Sequence, residues 1–401
     1  MRDIAALIAQ AEQELSQSVW PRFDTTYYVA FERVLNAFTQ QRIGEEHFAS
    51  VTGYGHDDLG RAALDAVFAH ALQAPAAIAR FQFVSGTHAL CAALNGCLQA
   101  GDAMVSLTGA PYDTLEEVIG LRGDSPLSLR RRGVAYHQFD GLDTAADDAL
   151  KTAKMAYLQR SRGYSLRRTL TIDDLDALCR QIRAIRADII IMVDNCYGEF
   201  TETREPTAVG ADLMAGSLIK NPGGGLVPTG GYIAGRRDLV GQCADALTAP
   251  GIGSAGGYSF DLTRLAFQGL FLAPGVVREA LKSMTLAAWL FEQAGYDVAP
   301  RFDEPRGDII QTLTLGDPQR LETFCGLLQA ASPVSSAVKP IASEVPGYGD
   351  PVIMAGGTFI QGATLELSAD GPLRPPYAAF LQGGLTYAHA RVALARMLQA
   401  L

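Results

Sequence analysis

The chain has 401 residues, 48% of them hydrophobic and 19% charged, with a formal net charge of -10. That balance fits a compact enzyme of two domains, or one large domain with an appendage, and excludes a disordered or fibrous chain. No basic block is present to neutralise phosphates, which excludes nucleic acid as the partner, and no apolar run approaches the roughly 20 residues needed to span a bilayer.

Residues 1–58 read as a helical arm, with apolar spacing from Ile4 to Leu15 and then Tyr27, Tyr28, Phe31, Val34 and Phe38. So many aromatic residues on an arm predict packing against a neighbouring subunit. Gly53-Tyr-Gly-His56 is a loop signal, and Leu59 to Leu72 is helical. Strands and helices then alternate. Ala79 to Val84, Ala103 to Leu107, Lys154 to Leu158, Ile189 to Val193, Leu213 to Leu218 and Gly230 to Ala234 read as strands. Between them Ala89 to Leu98, Tyr112 to Ile119 and Ile172 to Ile185 read as helices. Continuous apolar strands in this rhythm predict an α/β domain over 59–250 whose mainly parallel sheet is covered on both faces. Its functional groups belong at the C-terminal ends of the strands.

Gly251-Ile-Gly-Ser-Ala-Gly-Gly257 reads as a flexible connector to a smaller α/β domain over 251–401. That domain is expected to hold helices at Leu262 to Phe271 and Val276 to Ala294, strands at Ile309 to Leu315, Val352 to Met354 and Thr364 to Leu367, and a last helix from Tyr387 to Leu401. Six cysteines show no metal-ligand spacing and sit mostly in apolar helical contexts, so they read as core residues of a reduced compartment and no metal is expected. Met1 leads directly into an amphipathic helix, without a signal-peptide pattern, and a cytoplasmic location is expected.

The chemistry is carried by an ordered pair. The run Ile189-Ile-Ile-Met-Val-Asp194 puts a carboxylate at the end of a buried strand, and Ser217-Leu-Ile-Lys220 delivers a lysine into a loop rich in glycine and proline. Pyridoxal phosphate chemistry requires this arrangement: a lysine for the Schiff base and an aspartate for the pyridinium nitrogen. A buried carboxylate is costly unless paired, and the ring N–H would pair it. Ser85-Gly-Thr87 lies between a strand and a helix, where free N–H groups and the helix dipole favour a phosphate, although a plain N-cap needs no ligand. Ser217 can add a contact to the same phosphate. Tyr112 is placed to stack on a pyridine ring and to act as acid or base. A polar residue of Gln159-Arg-Ser-Arg162 can reach the ring's 3′-oxygen, which of them being open; Arg160 is also a candidate substrate contact, and Arg160 and Arg162 read equally as surface charges. Arg374, between prolines, is the candidate clamp for a substrate carboxylate, with a surface arginine as the alternative. His88 reads as a structural helix-start histidine.

These motifs resemble the fold-type I pyridoxal phosphate enzymes, and specifically the methionine γ-lyase/cystathionine β-lyase-like group labelled aluminium-resistance proteins. The match runs through Gly53-Tyr-Gly55 with Asp57-Asp58, Ser85-Gly-Thr-His88, Pro111-Tyr-Asp-Thr-Leu-Glu-Glu117 and Gln159-Arg-Ser-Arg-Gly-Tyr164. It continues through Val193-Asp-Asn-Cys-Tyr-Gly-Glu199, Ser217-Leu-Ile-Lys-Asn-Pro-Gly-Gly-Gly225 and Gln382-Gly-Gly-Leu-Thr-Tyr387. The resemblance implies a seven-stranded sheet, pyridoxal 5′-phosphate on Lys220, a carbon–sulfur lyase-like activity on a sulfur-containing amino acid, and a homodimer or homotetramer with shared active sites. In Cys/Met enzymes a tyrosine and an arginine from the neighbouring chain commonly grip the phosphate. The resemblance puts Tyr54 in that tyrosine's place, while His56 stands where the arginine is expected. Ile219 replaces the usual threonine before the lysine. The same lysine and aspartate also serve aminotransferases, racemases and synthases, and a catalytically lapsed stress-response protein is a further alternative.

Overall fold

The computed structural model describes residues 3–52 and 54–400; Gly53 of the expected loop lies outside them. Asp3 caps the first helix, accepting the Ala6 N–H at 3.1 Å. Helix α1 spans Ile4–Ser18, α2 Trp20–Gln40 and α3 Leu59–Ala71. The nucleus follows as β1 (Ala76–Arg80), α4 (Gly86–Cys97), β2 (Ala103–Ser106), α5 (Asp113–Ile119), β3 (Ala135–Gln138) and α6 (Thr144–Leu150). It continues with β4 (Met155–Gln159), α7 (Ile172–Ile185), β5 (Ile190–Asp194), β6 (Leu213–Ser217), β7 (Gly231–Gly235) and α8 (Arg237–Leu247). Helix α9 (Thr263–Gln293) leads to β8 (Asp297–Ala299), β9 (Ile310–Thr314), α10 (Pro318–Ala330), β10 (Val352–Ala355), β11 (Ser368–Pro372), β12 (Ala378–Gln382) and α11 (Tyr387–Ala400).

Among the described residues, the first sheet has seven strands in the order β1-β7-β6-β5-β4-β2-β3. Strand β7 runs antiparallel to both of its neighbours, and the other pairings are parallel. Six strands therefore end at one edge. The central strands β4, β5 and β6 are buried along their whole length, which is why their sequences are apolar without alternation. The second sheet is antiparallel, in the order β10-β11-β12-β9-β8.

Several local expectations shift for physical reasons. Strand β1 ends at Arg80, and the apolar run continues as a loop that buries Phe81 and Phe83. The two helices expected around Pro274 are one helix, because a buried face runs through Leu270, Ala273, Val277 and Leu281. The strand expected at 364–367 begins later, at Ser368. Glu366 instead turns its carboxylate onto the N–H groups of Phe359 and Ile360, at 2.7 and 2.9 Å. Edge strand β3 is largely exposed and its polar sequence hides it.

The helical arm packs on its own chain. Phe31 meets Phe271 edge-on at 5.1 Å, Phe38 meets Phe267 at 5.6 Å, and the Trp20 indole N–H donates to Thr285 Oγ1 at 3.1 Å. Phe31 and Phe38, expected on a neighbouring subunit, are thus engaged by α9, while Tyr28 and Tyr54 stay exposed. The glycine-rich connector is held by Arg61, which donates to the carbonyls of Ala255 and Gly257 at 2.8 and 2.9 Å.

Candidate active site

At the edge where the six strands end, a cavity of about 210 Å³ opens between the two sheets. Asp194 enters it from the last residue of β5, in register with Gln159 on β4 and Ala215 on β6. Its Oδ1 accepts the Cys196 N–H at 3.1 Å, and the Tyr157 hydroxyl donates to Oδ2 at 3.4 Å. Burial pushes this carboxyl above the usual carboxylate range, opposed by the Cys196 hydrogen bonds and by the charge of Lys220. A cationic partner on its open side would restore the ionised form.

Lys220 follows β6, and its Nζ stands 3.7 Å from the centre of the Tyr197 ring. Burial lowers its pKa, with Cys196, Asp370 and Asp194 acting in the other direction. A lysine that loses its proton readily is the form able to act as nucleophile or base. Asn221, next in the chain, ties the lysine loop to the loop after β5 by donating to the carbonyls of Tyr197 and Glu199 at 3.0 and 2.9 Å.

Ser85 caps α4, with its hydroxyl accepting the His88 N–H at 3.1 Å. Gly86 lies so close to β6 that an added Cβ would stand 3.0 Å from the Ser217 Cβ. The Thr87 hydroxyl shares a 2.6 Å hydrogen bond with that of Thr114. Ser85, Gly86, Thr87 and Ser217 thus surround the start of one helix, the environment that favours an anion. His88 is structural: its Nδ1 accepts the Val84 N–H at 3.2 Å.

Tyr112 precedes α5, and its hydroxyl shares a 2.8 Å hydrogen bond with that of Tyr348. Burial holds its pKa well above that of an exposed tyrosine, with neighbouring tyrosines adding to the rise. It belongs to an aromatic group that sequence reasoning missed. Tyr164 meets Tyr112 edge-on at 5.6 Å and stacks on Tyr348 at 5.6 Å. Together with Tyr197 these rings line a second space of about 130 Å³ that shares Tyr112, Tyr197, Lys220 and Tyr348 with the first. Asp370 and Gln382 of the second sheet close it, the Gln382 amide donating to Asp370 Oδ2 at 3.1 Å. Asp370 lies in β11, four residues before Arg374 in the chain, and nothing in its local spacing distinguished it. Tyr197, in Asp194-Asn-Cys-Tyr-Gly-Glu199, carries a φ of 70°, which turns the chain sharply after the strand.

Other expected residues lie elsewhere. Arg160 does not line the cavity. It is fully buried behind it, donating to Asn195 Oδ1 and Gly198 O at 2.8 Å each and pairing with Glu202 at 2.7 Å. Three carboxylates and carbonyls on the loop after β5 claim it, so it is neither a substrate ligand nor a surface charge. Arg162 is likewise buried, donating to Ala299 O at 2.9 Å and Thr312 Oγ1 at 3.2 Å. Of that segment Gln159 and Ser161 reach the cavity, and Gln159 Oε1 has no hydrogen-bond partner among the described residues. Arg374 is outside the lining, bonded to Asp350 Oδ2 at 2.9 Å and to the Tyr164 carbonyl at 3.2 Å. Tyr54 is 84% exposed and is not part of its own chain's cavity lining.

The fold is that of the fold-type I pyridoxal phosphate enzymes; a pyridoxal-5′-phosphate dependent protein, YhfS of Escherichia coli, shares it at 15% identity, with a TM-score of 0.63 over 94% of this chain and 97% of its own. A methionine gamma-lyase family model matches residues 4–401, and the chain belongs to that family. A carbon-sulfur lyase involved in aluminum resistance from Clostridium novyi NT, known from its crystal structure, is 43% identical, with a TM-score of 0.94 over 100% of this chain and 96% of its own. The uncharacterized protein YnbB of Bacillus subtilis (strain 168) is 42% identical over 98% of this chain and 92% of its own length. No helix among the described residues is long and apolar enough to cross a membrane.

Proposed function

We propose that this chain is a pyridoxal phosphate-dependent carbon–sulfur lyase acting on a sulfur-containing amino acid. One observation carries the reading: in a member of the methionine gamma-lyase family, Lys220, Asp194 and the Ser85-Gly86-Thr87 turn converge on one cavity. The donor set fits the cofactor. The start of α4 would hold the phosphate, with the bare Gly86 backbone beside Ser217 leaving room for it. Asp194 would hold the ring nitrogen, Lys220 would carry the group covalently, and Tyr112 would cover the ring. Gln159, whose amide donates to the Ser161 carbonyl at 3.1 Å and keeps a second N–H, would be the donor for the 3′-oxygen side.

Bound there, pyridoxal phosphate supplies an electron sink for charge developing at the substrate's α-carbon. The chain's own residues do the rest. Lys220, kept easily deprotonated by burial, takes the α-proton. Tyr112, whose buried hydroxyl keeps its proton, is the acid available to a departing thiolate. Asp194 keeps a negative charge in a dry site, where it acts strongly. Arg374 can serve a substrate carboxylate only by leaving Asp350. Tyr54, exposed on its own chain, is free to complete a neighbouring chain's phosphate site in a homodimer or homotetramer, and the chain divides as 1–58, 59–250 and 251–401. The test is direct. Purified protein should absorb visible light, lose that absorbance on borohydride treatment, and release α-keto acid and thiol from at least one of L-methionine, cystathionine and L-cysteine. A colourless protein that gains no absorbance with added pyridoxal phosphate would refute the cofactor, and turnover by transamination alone would replace the lyase reading.

A further inference from the structure

The tyrosine-lined half of the cavity has a charge pattern that the lyase reading does not use. Its walls carry the Asp370 carboxylate and the rings of Tyr112, Tyr164, Tyr197 and Tyr348. Asp370 is oriented by the Gln382 amide at 3.1 Å and by a hydrogen bond from Tyr164; burial raises its pKa, and a nearby cation such as Lys220 opposes that rise. Among the described residues lining either half, Lys220 is the sole cation, against the carboxylates of Asp194 and Asp370. Lys220 Nζ stands 3.7 Å from the centre of the Tyr197 ring, and Asp370 favours the protonated form of that nitrogen against the effect of burial. Electron-rich ring faces beside one carboxylate bind a compact cation better than a neutral group of the same shape. A lysine committed to the cofactor gives up that place, and the aromatic box and Asp370 then face the substrate.

We propose that Asp370 and the surrounding tyrosines form a subsite for a positively charged group at the far end of the substrate side chain, a sulfonium or a second ammonium, so that such amino acids bind in preference to neutral thioethers. This inference rests on the amino-acid lyase reading and deepens it. Methionine and a sulfonium analogue differ by one methyl group and one charge, so the charge is isolated by comparing their ratio in wild type with that in Asp370→Asn, which keeps the shape of the site. Size alone is a weak discriminator in an apolar pocket, whereas an unmatched buried carboxylate penalises the neutral ligand.

The experiment measures dissociation constants by calorimetry on the purified holoenzyme, first shown to carry visible absorbance. The ligand pairs are S-methyl-L-methionine against L-methionine and L-ornithine against its neutral isostere L-norleucine, each with wild type, Asp370→Asn and Tyr348→Leu. Wild type should favour at least one cationic member by about tenfold or more, and the pair that shows it identifies sulfonium or ammonium as the source. Asp370→Asn should bring that ratio to about one, and Tyr348→Leu should lower it in part. Should Asp370→Asn fail to fold, the ratio in Tyr348→Leu decides. Equal affinities within both pairs in a coloured, turnover-competent wild-type enzyme would overturn the subsite and leave the lyase reading standing. Absence of cofactor absorbance would overturn the lyase reading and the subsite with it.

Discussion

The sheet half of the cavity draws Ser85, Asp194, Ser217 and Lys220 from the ends of three strands of one sheet, whereas the tyrosine half collects Tyr112, Tyr164, Tyr197, Tyr348 and Asp370 from loops and strands far apart in the chain. In the first half the backbone topology does the placing. Strands β1, β5 and β6 run in the same direction, so any residue that follows one of them arrives at the same edge. In the second, placement depends on how the two sheets face each other and on the path of loops such as 336–350. Machinery common to many reactions fits the first kind of construction, and choice of substrate fits the second. Variants at residues that line one half alone, such as Asp194 or Asp370, should therefore leave the other half's property intact.

Lys220→Ala has the largest expected effect. It removes the sole cation among the described lining residues. Visible absorbance from bound cofactor and all turnover should vanish while circular dichroism stays that of the folded chain. An unchanged spectrum would break the assignment of the sheet half.

Arg160→Met probes the support behind that half. Removing this arginine leaves Glu202, at 2.7 Å, and the fully buried Glu205, at 3.9 Å, without their shared cation. Breaking a buried pair in this way costs roughly 3 to 5 kcal/mol of stability. Urea unfolding should register that loss, and refolded variant that still binds pyridoxal phosphate would place Arg160 in the scaffold. Wild-type stability with a raised KM would return it to the substrate.

Asp194→Asn keeps the shape of the sheet half and removes its charge. Turnover should fall about a hundredfold or more, a few kcal/mol of transition-state stabilisation. Any preference for cationic ligands should persist, because Asp370 belongs to the other half. Loss of both properties together would mean that the halves are not separable.

How much of this was legible follows the same division. Asp194, Lys220 and Ser85-Gly86-Thr87 announce themselves because each sits just after an apolar run, and helix α7 begins and ends where its periodicity says, at Ile172 and Ile185. Arg160 misleads because an arginine after a strand looks like a ligand, while its use depends on Glu202 and Glu205, more than forty residues on, which only the folded loop brings to it. Tyr348 and Asp370 give no local sign, since neither lies in a periodic segment that points to the cavity. The edge strand β3 and the capping role of Glu366 are lost for a related reason: one is exposed and polar, the other competes for backbone N–H groups that a strand would have used.

The last expected effect concerns stability rather than turnover, at a buried carboxyl behind the cavity. Glu199 is fully buried on the loop after β5; its Oε1 accepts the Tyr232 hydroxyl at 2.7 Å, and its Oε2 has no hydrogen-bond partner among the described residues. Burial pushes its pKa up to about 8, far above the roughly 4.3 of an exposed glutamate. Between those two values the folded chain keeps a proton that the unfolded chain has released. Stability therefore falls as pH rises through that window, by about 1.4 kcal/mol per unit at most. Glu199→Gln has the shape of the protonated acid and lacks this slope. Urea unfolding at a series of pH values from about 5 to 8 should show the variant gaining on wild type steadily as pH rises. Parallel curves would mean that Glu199 ionises in the folded chain as it does in water, with a counter-ion drawn from Lys220 or Arg160.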